Sequence, residues 1–183
     1  MGSVMVVLEN FSVSDIPELM TWIEGSDEEF LIQFAGPQYR YPLDEEQLLA
    51  TMNGKHCAVF KAVEKKTNTV IGHCQLLKIN LTEKSATIGR VLIKPGVRGY
   101  GYGSKMINEL IKYAKIHFDI CILRLKVYEF NTAAYQCYRK LDFVELERKE
   151  IRFDRIGKTW NCITMERRPP SIEDRKLTAF SLR

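Results

Sequence analysis

No apolar run in this 183-residue chain reaches the roughly 18 residues a membrane-crossing helix requires, so neither a span nor a membrane partner is expected. Histidine is scarce. His56, His73 and His117 form no pair at the i, i+3 or i, i+4 spacing of helical ligands, and a metal site is not expected. The five cysteines (Cys57, Cys74, Cys121, Cys137, Cys162) are odd in number and contain no CxxC. They argue against a disulfide framework and for reduced thiols in the cytoplasm. Each stands in an apolar run, so burial as a small hydrophobe is the expectation for all five. The start, Met1–Glu9, has neither a basic n-region nor a full apolar h-region, and no signal peptide is expected. Repeats and low-complexity linkers are missing too. The length suits one domain over residues 1–167, and a polar tail over 168–183 follows near the Pro169-Pro170 break.

Among what is present, 45% hydrophobic residues exclude a disordered or fibrous chain. The net charge of +4 conceals a split: residues 1–60 sum to −8 and residues 61–183 to +12. Such a split suggests two surfaces with different partners. No continuous basic stripe interleaved with aromatics accompanies it, so a nucleic-acid partner is not expected.

The patterning predicts a strand over Val4–Phe11, then a helix capped by Ser14 with Pro17 in its first turn. A short helix over Glu28–Phe34 and another opened by an Asp44/Gln47 capping box follow. Cys57–Glu64 and Val70–Ile79 read as a hairpin, and Ala86–Ile93 as a third strand stopping at Pro95. Met106, Ile107, Leu110, Ile111 and Ala114 form one stripe of a longer helix. Strand Cys121–Val127, helix Asn131–Lys140 and a final pair, Phe143–Phe153 with Thr159–Glu166, complete a mixed α/β (α+β) sheet.

The chemistry concentrates in Ile93-Lys94-Pro95-Gly96-Val97-Arg98-Gly99-Tyr100-Gly101-Tyr102-Gly103-Ser104-Lys105. A strand end passes through alternating glycines into a helix start, presenting bare backbone N–H groups with the helix dipole behind them. That suits a pyrophosphate. Arg98 and Lys105 would add full charges at either end. A Walker loop would need Gly-Lys-Ser/Thr, whereas Gly103 is followed by Ser104-Lys105 in the reverse order. A dinucleotide fingerprint would need GxGxxG after the first strand, and this GxGxG run follows several strands.

The third option fits. Arg98-x-x-Gly101-x-Gly103, after a strand ending Val91-Leu92-Ile93-x-Pro95, resembles the acetyl-CoA-binding signature of the GNAT acetyltransferase family. Asn131-Thr132-Ala133-Ala134-Tyr135-Gln136-Cys137-Tyr138-Arg139-Lys140-Leu141-Asp142-Phe143 resembles the family's later motif, with Asp142 where glycine often stands. The resemblance covers about residues 4–167. It implies a mostly antiparallel central sheet flanked by helices, and acetyl-CoA as cosubstrate.

Carried over residue by residue, it implies that Arg98, Gly99, Gly101, Gly103 and Ser104 hold the pyrophosphate. It also implies that the strand pairs with the pantetheine arm, which puts Leu92 and Ile93 beside the thioester, that Asn131 bonds that arm, and that Tyr138 protonates the departing thiolate. A phenol with pKa near 10 can serve a thiol near 8.5 without extreme tuning. Tyr135, one turn earlier, reads as packing. Many members carry a glutamate base on the strand before the loop; here Arg90 is that strand's only charged residue. His73 is a candidate base by its ordinary pKa, with Glu24, Asp27, Glu28, Glu29, Glu83 or a water relay as alternatives.

The segment that forms one acceptor wall in the family holds Trp22, Phe30, Phe34, Tyr39 and Tyr41 among the acids of residues 1–60. Aromatics with carboxylates suit a cationic amine. The expected acceptor is therefore a cationic small molecule or a peptide or protein N-terminus. The helical N-terminal third also resembles the branch that modifies ribosomal-protein termini. A rival reading is a module that senses acetyl-CoA or CoA without turnover. By family habit, the last strand pair could extend a sheet across a homodimer.

Overall fold

The computed structural model describes residues 4–169; residues 170–183, and with them nearly all of the expected tail, lie outside the described residues. The chain runs β1 (Val6–Asn10), α1 (Ile16–Ile23), α2 (Glu28–Ala35), α3 (Glu45–Met52), β2 (Ala58–Glu64), β3 (Thr69–Asn80), β4 (Ser85–Ile93), α4 (Tyr102–Phe118), β5 (Ile122–Tyr128), α5 (Thr132–Arg139), β6 (Val144–Phe153) and β7 (Lys158–Arg167). One seven-stranded sheet has the order β1-β2-β3-β4-β5-β7-β6. Every neighbouring pair is antiparallel except β4 with β5.

Local chemistry sets the helix starts. Asp27 accepts from the Phe30 N–H at 2.8 Å to open α2, and Asp44 accepts from the Gln47 N–H at 2.9 Å to open α3. The Gln47 amide does not return to Asp44. It donates to the Arg40 and Pro42 carbonyls at 3.1 and 3.2 Å, so only half of the expected box forms. Before α1 the cap is also not Ser14: a 3-10 turn over Val13–Asp15 intervenes, and the Asp15 carboxylate accepts from the Ser12 N–H at 2.7 Å. Pro17 does sit in the first turn of α1. Asp142, in the glycine position, adopts φ +65°, a left-handed conformation that aspartate tolerates better than most residues.

The sheet is covered on both faces. Met106, Ile107, Leu110 and Ala114 of α4 are fully buried on one face against Phe60, Ile88, Leu123 and Leu125. On the other, Ile16, Leu19, Leu31, Phe34 and Leu48 of α1–α3 form a second core with Leu92. Each such Leu, Ile, Phe or Met side chain contributes about 1.5–3 kcal/mol by burial. All five cysteines are free, but only Cys74 and Cys162 are buried; Cys57, Cys121 and Cys137 are half-buried, because each sits at an element's edge or on a helix flank. Among the described residues no helix is long and apolar enough to cross a membrane.

Candidate active site

The site begins with an interruption in the sheet. On β3, His73 faces Leu92 and Gln75 faces Gly89, so two residues of β4, Arg90 and Val91, stand against Cys74 alone. This bulge puts Arg90 at φ +49°. Beyond it, β4 leaves β5: only Ser85–Ile88 pair, with Ile122–Leu125. A cavity of about 530 Å³ opens in the gap. Its lining reaches from α4 and α5 on one face of the sheet to Phe30, Gln33 and Phe34 of α2 on the other.

Nine of the ten residues expected at the site line this cavity: Leu92, Ile93, Arg98, Gly99, Gly101, Gly103, Ser104, Asn131 and Tyr138. Gly99 and Gly101 adopt φ +86° and +80°, where an L side chain is strained. Gly101 is also the N-cap of α4, with no capping side chain and no acid in the first turn. The helix's first N–H groups are therefore left for a ligand, and the dipole favours an anion there. Arg98 donates through Nε to the Ile93 carbonyl at 3.0 Å, which ties the loop to the strand end. Lys105 is turned away, with Nζ on the Val4 carbonyl at 2.9 Å, because one helical step carries it off the cavity side.

Asn131 caps α5 through Oδ1, which accepts from the Ala134 N–H at 3.2 Å. Its Nδ2 group is not needed for that bond. Tyr138 is 7% exposed and packs against Phe143 with ring centroids 5.9 Å apart. Burial, with the Cys137 and Cys74 thiols beside it, pushes its phenol pKa well above the ordinary value and keeps it protonated. Tyr135 leans on the core and donates to Glu145 at 3.4 Å, outside the lining.

His73 is the expected residue that the cavity does not include. It is 1% exposed, wedged between Phe11 and Phe34. The Gln75 Oε1 atom accepts from Arg90 at 2.7 Å, so the Gln75 amide nitrogen must face His73 Nε2, 3.1 Å away. Nε2 therefore accepts and the proton sits on Nδ1, which has no polar partner among the described residues. Burial first, then the Arg90 charge, push the imidazole pKa down to about 3.

The acids of residues 1–60 are also elsewhere. Asp15 and Glu9 meet Lys61 at 2.7 and 3.7 Å, Glu18 meets Lys94 at 2.8 Å, Glu28 meets Arg155 at 3.2 Å and Glu29 meets Lys158 at 2.5 Å. With Asp27 and Asp44 used as caps, the charge split largely closes on itself. Among the described residues no carboxylate lines the cavity; the charged ones there are Arg90, Arg98, Lys126 and Lys140. Lys126 is one of two charges on β5, and nothing in the local sequence separates it from Arg124, which pairs with Glu166 at 2.8 Å instead.

A slot through a splayed sheet, with uncapped amides and an arginine at one end and a buried phenol beside it, suits a thioester cosubstrate carrying a pyrophosphate. The acetyltransferase (GNAT) family model matches residues 18–143, and the chain belongs to that family. It is an acetyl-CoA-dependent N-acetyltransferase. Solved structures of the same fold include the spermidine N-acetyltransferase of Vibrio cholerae in complex with CoA and spermine. It is 17% identical, with TM-score 0.74, 88% of this chain covered and 94% of that one. A chimera of the Vibrio cholerae enzyme with hSSAT is 17% identical at TM-score 0.73, covering 90% and 95%. A dodecameric structure of the Vibrio cholerae enzyme is 19% identical at TM-score 0.67, covering 90% and 94%.

Proposed function

We propose that residues 1–167 form one acetyltransferase domain that moves the acetyl group of acetyl-CoA to a primary amine by direct attack in a ternary complex. The observation that carries this is the slot between β4 and β5, lined by the glycine loop on one side and by Tyr138 on the other. In this reading the amides from Gly99 to Ser104, with Arg98, hold the pyrophosphate, and Asn131 Nδ2 bonds the pantetheine arm. The β4 backbone at Leu92–Ile93 pairs with that arm and polarises the carbonyl under attack. Tyr138 holds the proton that the departing thiolate takes. His73, neutral and proton-bearing on Nδ1, is a packed residue of the sheet in this reading, and water in the open slot carries the amine's proton away.

Of the acceptors expected from sequence, a polyamine-like cation draws support from the spermidine-acetylating neighbours, yet the described residues of the lining offer it no carboxylate. A small-molecule or peptide amine without extra positive charge agrees better with the walls. A cytoplasmic setting and a homodimer belong to the same proposal. The first rests on five free thiols; the second rests on β6, which ends the sheet with Val144 and Leu146 exposed.

The test is CoA thiol release from acetyl-CoA with a panel of primary amines. Wild type turns over, and Tyr138→Phe lowers kcat by roughly 10²–10⁴ with acetyl-CoA affinity unchanged. If both proteins bind acetyl-CoA tightly and are equally inert, direct attack by these amines with Tyr138 as the acid is refuted.

A further inference from the structure

We infer that the acceptor amine carries a carboxylate, and that Arg90 is the residue that selects it, with Lys126 as the second charge. The inference rests on the proposed amine acetylation and names its substrate class. Arg98 and Lys140 stand on the loop and on the end of α5, at the cofactor side of the slot. Arg90 and Lys126 stand on the other. Leu125 and Val127 point into the α4 core, so by strand alternation Lys126 between them faces the α2 side. The Arg90 guanidinium is anchored there too, bonded to Gln75 at 2.7 Å and Gln38 at 3.1 Å and stacked on the Tyr39 ring at 4.5 Å.

Every one of these anchors is neutral. Among the described residues Arg90 forms no ion pair, and its Nε is buried with no hydrogen-bond partner. A guanidinium fixed in orientation by a stack and two amides, without a counter-ion among the described residues and facing a cavity whose described lining holds no acid, is preorganised for a carboxylate. A polyamine would meet two like charges at this end of the slot, and no described acid to offset them.

The experiment compares matched acceptors that differ only in that group, at saturating acetyl-CoA: glycine with glycinamide, β-alanine with its amide, and spermidine as the cation. The carboxylate member of each pair is expected to have a kcat/KM roughly 10- to 100-fold higher, the range for a charge-assisted hydrogen bond. Arg90→Gln should raise KM for the carboxylate member by that factor relative to its rise for the amide member. Equal use of both members, preference for spermidine, or an equal fall for every acceptor in Arg90→Gln would overturn the inference while leaving amine acetylation standing. A binding arm covers the case in which none of these amines turns over. N-acetylglycine, but not its amide, is expected to bind the CoA-loaded wild type and not Arg90→Gln. Its failure to do so would likewise overturn the carboxylate site. Binding of that kind without turnover of any amine would instead count against the acetylation reading.

Discussion

His73 gives a prediction in which stability and activity separate. In the unfolded chain its imidazole takes a proton near pH 6.5. In the folded chain burial and the Arg90 charge hold it neutral down to about pH 3. The folded pKa is depressed, so the stability tied to the neutral ring is complete above pH 6.5 and drains as pH falls toward 3. The slope is the linkage value of about 1.4 kcal/mol per pH unit for one proton. Between pH 8 and pH 5 that amounts to about 2 kcal/mol, or roughly 4–8 °C in Tm for a chain of this size. The window lies above the ordinary carboxylate range, so acids paired in the fold, such as Asp15, add little to it. Denaturant melts of wild type and His73→Gln at the two pH values check it. The difference between the two proteins should shrink as pH falls, because glutamine does not titrate. Parallel curves would refute the burial argument. A kcat that rises with a midpoint near 6.5 in wild type and is lost in His73→Gln would restore the ring as general base.

Other outcomes follow from the same geometry. Gly72→Ala puts a Cβ 2.7 Å from Met106 Sδ and 3.1 Å from the Leu92 carbonyl. It should cost about 1–3 kcal/mol by denaturant melt and weaken acetyl-CoA binding, since the displaced backbone is the slot's own wall. Asn131→Asp keeps the α5 cap but removes the Nδ2 donor. Its Tm should stay near wild type while KM for acetyl-CoA rises roughly tenfold, whereas Asn131→Ala should lose both.

Element positions were largely legible because hydrophobic period switches cleanly between 2 and 3.6 along the chain. The strand read as Ala86–Ile93 is Ser85–Ile93, and the helix read from Asn131 starts with that residue as its cap. The loop was legible because glycine is the residue type that supplies bare amides at positive φ. What escaped depends on long-range pairing. Nothing local marks Lys105 as turned toward Val4, or assigns Glu28 to Arg155 across more than a hundred residues. The bulge is a mismatch between two strands, so neither strand's sequence displays it alone. Arg90 is the one charge of its strand in the sequence, but its meaning appears only once Gln38, Tyr39 and Gln75 converge on it.

That bulge makes the binding slot a matter of counting. Side chains alternate faces along a strand, so an odd extra residue reverses everything after it. With Arg90 and Val91 sharing one place, Leu92 turns to the α1–α3 core and Ile93 to the α4 face. A β4 shorter by one residue would exchange those two, turning Ile93 to the α1–α3 core and Leu92 to α4. The count of residues between Ile88 and Pro95 thus decides which side chain of the strand end meets which core, before their identities are considered.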